Sequence, residues 1–230
     1  IYTVKEVQAP ANYGLNPTVF TADIEFAGQV VKLNVTDPVI TAGVSIKKTG
    51  YAQTMNNNIM RWTVSGVRND STTSLQSFYW RDTLPTDAVR LTRLVTGTYS
   101  TTQTYKVTFT TNLNSQWRTA YDNLSTAKNY TLDMSSAALG LASNEYVTQF
   151  MLSFGIVPAG FHQLTNATVD AQTLYALTNG YKFTNKADVG GLLGGNWVQS
   201  IARWTTSIYS HYVPAKPAAP KSPTLPRTGY

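Results

Sequence analysis

Apolar and polar residues alternate through most of this chain. In Glu145–Val157 one face carries Tyr146, Phe150, Leu152, Phe154 and Ile156, and the other carries Gln149 and Ser153. That period of two is the mark of a half-buried strand. The same alternation predicts strands over Gly43–Lys48, Ile59–Asn69, Leu75–Asp82, Thr104–Thr111, Gly180–Asn185 and Trp197–Tyr209. Roughly eight to ten strands between Asp37-Pro38 and Tyr212 fit one antiparallel sandwich. Helical periodicity is confined to Ser115–Leu124 and Ala171–Leu177, which read as short helices. Ahead of Asp37, Tyr2 and Val4 open a strand, Ala9–Gly14 is a turn, and Val19–Phe26 and Val30–Val35 are strand-like. Three strands are too few for a core of their own, so their partners are expected upstream of Ile1.

Composition narrows the class. Charged residues make up only 13% of the chain, while Thr, Asn, Ser and Tyr abound, which suits a β-rich exported protein. There is no cysteine, so disulfides, thiol nucleophiles and zinc–cysteine sites are excluded together. The net charge is +6, and Lys216, Lys221 and Arg227 in the Pro-rich tail supply half of that excess. The rest lacks the basic and aromatic stripe of a nucleic-acid binder. A basic tail suits an anionic cell wall instead. No run of about 18 apolar residues is present to span a bilayer.

Three polar residues fall on faces that should point inward. Lys48 shares a strand face with Val44 and Ile46, Asp82 with Phe78 and Trp80, and Asn185 with Tyr181 and Phe183. Buried singly, each would cost several kcal/mol, so a mutual partner is expected. A shift of one residue would put Lys47 inward in place of Lys48. Otherwise Lys48 extends its amine to water at a sheet edge, Asp82 caps the turn before Leu84-Pro85, and Asn185 ends its strand.

These segments resemble β-sandwich domains of Gram-positive pilins and adhesins that carry Lys–Asn isopeptide bonds. The resemblance implies Lys48 as nucleophile, Asn185 as acceptor and Asp82 as the acid that polarises the carboxamide. Burial favours the neutral amine and the protonated carboxyl that this reaction needs. The N-terminal pattern Tyr2-x-x-x-Glu6-x-x-Ala9-Pro10-x-x-Tyr13 resembles the E-box of Cna B-type (prealbumin-like) domains. Glu6 then takes the part of the assisting glutamate and Asn34 that of the last-strand asparagine, with the lysine outside this chain. Leu225-Pro226-Arg227-Thr228-Gly229 resembles the LPxTG sorting signal. That implies cleavage by sortase between Thr228 and Gly229, and transfer to peptidoglycan or a pilus subunit. Pro226 keeps the peptide out of a helix or central strand. The hydrophobic span that follows the signal in that family is missing here, as is a signal peptide before Ile1, so the chain reads as a piece of a longer exported protein.

The expected architecture is all-β: an antiparallel immunoglobulin-like (Cna-type) β-sandwich preceded by the last strands of a truncated Cna B-type domain. Residues 1–37 form the truncated domain, 38–212 the sandwich, and 213–230 the linker and sorting motif. The expected function is that of a stalk or pilin-like module on a Gram-positive cell wall, presenting an upstream adhesive region. It would need no cofactor or metal and have no turnover. One alternative is an adhesin module binding a host protein or glycan. Another is the accessory end of a secreted hydrolase. His162 and His211 lack a catalytic or metal-ligand frame, and Gly190–Gly195 reads as a hairpin loop. Trp197, Trp204 and Tyr209 are expected in the core.

Overall fold

The computed structural model describes residues 1–10, 13–50, 53–54, 59–174 and 177–209. The linker and sorting motif, including Leu225, Pro226, Arg227, Thr228 and Gly229, lie outside the described residues, as does His211. The described residues contain strands and no helix. In chain order they are β1 (Tyr2–Lys5), β2 (Val19–Ala22), β3 (Val44–Gly50), β4 (Gln53–Thr54), β5 (Ile59–Asn69), β6 (Leu75–Thr83), β7 (Val89–Val95) and β8 (Thr98–Tyr99). There follow β9 (Thr104–Thr111), β10 (Arg118–Ser125), β11 (Thr131–Asp133), β12 (Val147–Val157), β13 (Gln163–Thr165), β14 (Ala167–Thr173), β15 (Lys182–Leu193) and β16 (Asn196–Tyr209).

A seven-stranded sheet in the order β10-β9-β12-β6-β15-β16-β4 lies against a five-stranded sheet in the order β11-β7-β14-β5-β3. The pairing is antiparallel throughout except between β16 and β4. The chain therefore moves from one layer to the other between Gly50 and Gln53. Alternating residues of both sheets meet in one core: Trp62, Val64, Leu94 and Val169 from one layer, Trp80, Val107, Phe150, Leu152 and Val189 from the other, all fully buried. This is the antiparallel β-sandwich that the alternation predicts. One part of the core is aromatic, with Phe78, Tyr99, Tyr105, Phe154 and Phe161 in ring contact. Its polar atoms are paired where Trp80 Nε1 donates to the Tyr99 hydroxyl at 2.8 Å, which in turn donates to the Thr96 carbonyl at 3.0 Å.

Several expectations are corrected. Neither expected helix forms. Ser115–Leu124 is largely strand β10, and Ala171–Thr173 belong to β14, with residues 175–176 outside the described residues. The helix-like spacing in the first segment has a physical origin. Pairing with β9 slips between Thr119 and Tyr121 and again before Leu124, so Ala120, Tyr121 and Leu124 all reach the core. Two bulges turn a period of two into one of three to four. In β12 the slip at Gly155, whose φ is 73°, does the reverse. Ile156, expected inward, is 66% exposed, and Val157 is buried in its place. Gly190–Gly195 is not all loop: Gly190 and Gly191 are in β15, and only Gly194-Gly195, both at positive φ, make the turn. Trp197 is 54% exposed and meets Tyr79 edge to face, whereas Trp204 packs partly buried on the core. Val30–Val35 forms no strand, because nothing in the described structure pairs with it.

The N-terminal ribbon β1–β2 is a sheet by itself. Tyr2 pairs with Ala22 and Val4 with Phe20 on one face, and Tyr2 and Val4 are exposed there. The Tyr13 N–H donates to the Pro10 carbonyl at 3.1 Å, while Ala11 and Asn12 in the middle of the expected turn lie outside the described residues.

Candidate functional site: a buried Lys–Asp–Asn cluster

Lys48 lies on β3, the first strand of the sandwich, and points between the sheets because Ile46 and Lys48 share the inward face of that strand. Its neighbour Lys47 is exposed, so the alternation places Lys48 and not Lys47 in the core. From the opposite layer come Asp82 on β6 and Asn185 on β15. These strands are paired with Ala187 opposite Asp82, so Asn185 sits diagonally across from the carboxylate. A bond from Lys48 to either partner crosses from one sheet to the other.

The three side chains are in contact. Lys48 Nζ donates to Asp82 Oδ2 at 2.5 Å, and both side chains are wholly sealed from solvent. Asn185 Nδ2 donates to Asp82 Oδ1 at 2.7 Å and approaches the Thr83 carbonyl at 3.4 Å. The remaining polar atom, Asn185 Oδ1, is buried and accepts no hydrogen bond. Burial pushes the Lys48 amine below its usual range, and the charge and hydrogen bond of Asp82 only partly oppose this.

That geometry defines what the cluster can do. Lys48 and Asp82 share a short, charge-assisted contact along which a proton could pass. With the proton on Nζ, the carboxylate accepts from the carboxamide as observed. With the proton on Asp82, the amine is neutral, and the carboxyl becomes a donor. A half-turn of the Asn185 amide then brings its unsatisfied carbonyl oxygen onto that donor. Amide oxygen and nitrogen differ little in shape, so the turn costs no packing. An amine, a carboxamide and a carboxyl thus meet in a dry, low-dielectric site.

The sequence reading missed the walls of the site. Lys48 Nζ lies 5.7 Å from the centre of the Trp62 ring, which meets Phe183 edge to face. Gly50 pairs with Trp62, and Trp204 pairs with Asn185. A β-carbon on Gly50 would stand 2.7 Å from Cδ1 of both Trp62 and Trp204. Gly50 thus lets two indoles close beside the cluster. A glycine ending a strand is a signal of close approach, but only the register shows what approaches.

The N-terminal residues are arranged differently. Glu6 is half-buried, and its carboxylate accepts the Asn16 N–H at 2.6 Å. The Asp37 carboxyl is held above its usual range by burial and by the charge of Glu6. Asn34 is exposed and outside any strand, so the structure does not bring it to Glu6 as a core partner. Among the described residues no group of His, Asp and Glu is placed to hold a metal ion, and no helix is long and apolar enough to cross a membrane.

Outside the core, two guanidinium groups share one carboxylate. Arg61 and Arg93 flank Asp170 across three strands, with Nε contacts of 2.6 Å and 2.8 Å. The cluster borders an open groove of about 710 Å³ that also takes in Thr131, Asp133 and Gln172. On the outer face of the seven-stranded sheet, Asp188 accepts from Arg81 at 2.9 Å and from the Tyr79 hydroxyl at 3.1 Å, beneath Trp197.

No protein-family model matches this chain, and no curated protein matches it. Among solved structures it is similar to a collagen-binding domain from a Staphylococcus aureus adhesin, at 12% identity and TM-score 0.32 over 73% of this chain and 99% of that one. It is also similar to the collagen-binding subdomain of the Enterococcus faecalis surface protein ACE, at 12% identity and TM-score 0.28 over 71% and 95%. A third, a pore-forming protein, shows 5% identity and TM-score 0.22 over 78% and 94%. Scores of this size carry no functional argument, and the reading of this chain rests on its own residues.

Proposed function

We propose that this chain is a mechanical module of a cell-wall-anchored surface protein, with a sandwich stiffened by an isopeptide bond between Lys48 and Asn185. The observation that carries this reading is the sealed contact of Lys48, Asp82 and Asn185, with one carbonyl oxygen left without a donor. The proton of Lys48 passes to Asp82. The neutral Nζ then attacks Asn185 Cγ while the Asp82 carboxyl hydrogen-bonds Oδ1. Collapse of the tetrahedral intermediate forms the Nζ–Cγ amide, breaks the Cγ–Nδ2 bond and releases Nδ2 as ammonia, with Asp82 relaying the proton. The reaction runs once per molecule and is not turnover.

Leu225–Gly229 is the anchoring sequence in this reading, a sortase substrate to be joined at Thr228 to peptidoglycan or to a pilus subunit. The segments 1–37, 38–212 and 213–230 are then the end of one domain, the cross-linked sandwich and the attachment linker. The whole is secreted and exposed on a Gram-positive cell surface.

Intact-mass spectrometry of the purified chain tests the cross-link. The expected mass is that of the sequence less one ammonia, with Lys48 and Asn185 recovered in one branched peptide. The Asp82→Asn variant should keep the unmodified mass. An unmodified mass for the folded wild-type chain sinks the cross-link.

A second reading, recognition of a host ligand, is favoured by Trp197, an exposed ring seated on Tyr79 beside Arg81, Asp188 and Gln199. Aromatic rings with adjacent fixed polar groups suit a sugar or peptide. If Trp197→Ala abolishes attachment of the protein to host matrix without lowering its melting temperature, this reading gains over the stalk.

A further inference from the structure

We infer that β16 is a releasable segment, a fixed length of chain that the sandwich gives up under tension while the rest stays folded. The inference rests on the cross-link proposed above. Joining Lys48 to Asn185 closes residues 49–184 into a covalent loop that tension between the two ends cannot lengthen. Traction entering at Val44 runs along β3 to Lys48, crosses the side-chain amide, and leaves along the backbone from Asn185 to Tyr209. On that path the parts held by non-covalent contacts alone are Val44–Lys47 of β3 before the cross-link and, after it, the part of β15 past Asn185, the Gly194-Gly195 turn and β16. The asparagine is on the penultimate strand, so the last strand stays outside the loop.

The two strands of that hairpin are not held equally. From Lys186 to Leu192, β15 is bonded on its other edge to β6, which lies inside the loop. β16 has β15 on one side and, on the other, among the described residues, the short parallel pairing of Ile208 and Tyr209 with β4. Two of its rungs face Gly190 and Gly191, which offer no side chain to pack against. Trp197 and Ile201 on its outer face are about half exposed. Its holds are the rungs to β15, the buried side chains of Thr206 and Ile208, the Thr184–Thr205 hydroxyl contact at 2.8 Å and the wedge of Trp204 against Gly50. β16 is therefore the strand that leaves, and the turn at Gly194-Gly195 is where the extended chain starts.

The test is single-molecule pulling of the full chain. With no native cysteine, Thr41→Cys and Ser210→Cys give unique attachment points that leave the N-terminal ribbon off the load path. Residues 186–209 span at most about 80 Å when extended. The expected record is a gain in length of no more than about 100 Å, of which at most about 20 Å comes from residues 42–47, then none until the attachments fail. The Lys48→Ala variant, or Lys48→Met should the first not fold, should extend by about 600 Å on the same attachments. Ammonia-short molecules that show no gain overturn the release of β16, and ammonia-short molecules that extend by the full domain length overturn the closed loop. Full-length extension in molecules of unmodified mass overturns instead the cross-link on which the inference rests.

Discussion

Asp82 and Asp170 are both buried carboxylates held by basic side chains, yet their surroundings prepare them for different fates. Asp170 faces Arg61 and Arg93, whose guanidinium groups are nearly half exposed and whose charge is permanent. Burial alone would raise its carboxyl, and the hydrogen bonds and charges of the two arginines outweigh that, holding it below the usual carboxylate range. Asp82 faces one lysine, wholly buried, whose amine burial has made less basic. Its second neighbour is a carboxamide with an oxygen to spare. The outer cluster is saturated and ionic, so it can only hold strands together. The inner one leaves a buried carbonyl oxygen without a donor beside an amine that burial makes less basic, which is what the proposed reaction would use.

The comparison breaks most easily at Lys48. Lys48→Ala leaves Asp82 buried without a cation, which typically costs about 3–5 kcal/mol, and it removes the cross-link as well. A melting temperature close to the wild-type value would show that the inner cluster contributes no more than a surface pair. Gly50→Ala comes next. Its methyl must displace two indoles, buried Trp62 and partly buried Trp204, at a cost of about 1–3 kcal/mol, and the gap should admit water beside the amine. The fraction of folded chain that loses ammonia should fall, as read by mass after a fixed time. An unchanged fraction would mean that the indoles fill space without keeping the site dry.

The smallest effect is expected at the outer cluster. Arg61→Ala leaves Arg93 in place, so the loss should be under about 1 kcal/mol. The pH dependence sharpens the contrast. A carboxyl whose folded value lies below its unfolded value of 3.8 contributes stability above that value, and loses it as pH falls through the folded one. Urea midpoints should therefore drop in acid less steeply for Asp170→Asn than for wild type. Ammonia loss, in contrast, needs one proton on the Lys48–Asp82 pair, so its rate should fall on both sides of a plateau. The alkaline limb should begin below pH 10.5, the ordinary value for a lysine.

The inner cluster was legible in the sequence because parity alone decides which side of a strand faces inward. Lys48, Asp82 and Asn185 each share a face with large apolar residues, and the two sheets bring those faces together. Parity fails where the backbone slips, and this explains the errors. Ile156 was misplaced by the bulge at Gly155, and Ser115–Leu124 looked helical because two slips mimic its spacing. Gly50 and Trp204 belong to strands of different layers, so their contact depends on the crossover between Gly50 and Gln53, which no local pattern encodes. Asn34 stays at the surface, away from Glu6, because no strand forms over Val30–Val35 to turn it inward.

The position of Asn185 one strand before the end also bears on the denatured protein. A chain cross-linked from Lys48 to Asn185 cannot become linear in urea. It becomes a ring of well over a hundred residues with two tails, more compact than the open chain and faster on a denaturing gel. By the closure entropy that describes long disulfide loops, such a ring removes about 5 kcal/mol of disorder from the unfolded ensemble. The proposed amide would be inert to reductants, so each cross-linked molecule would also keep a permanent record that it once folded.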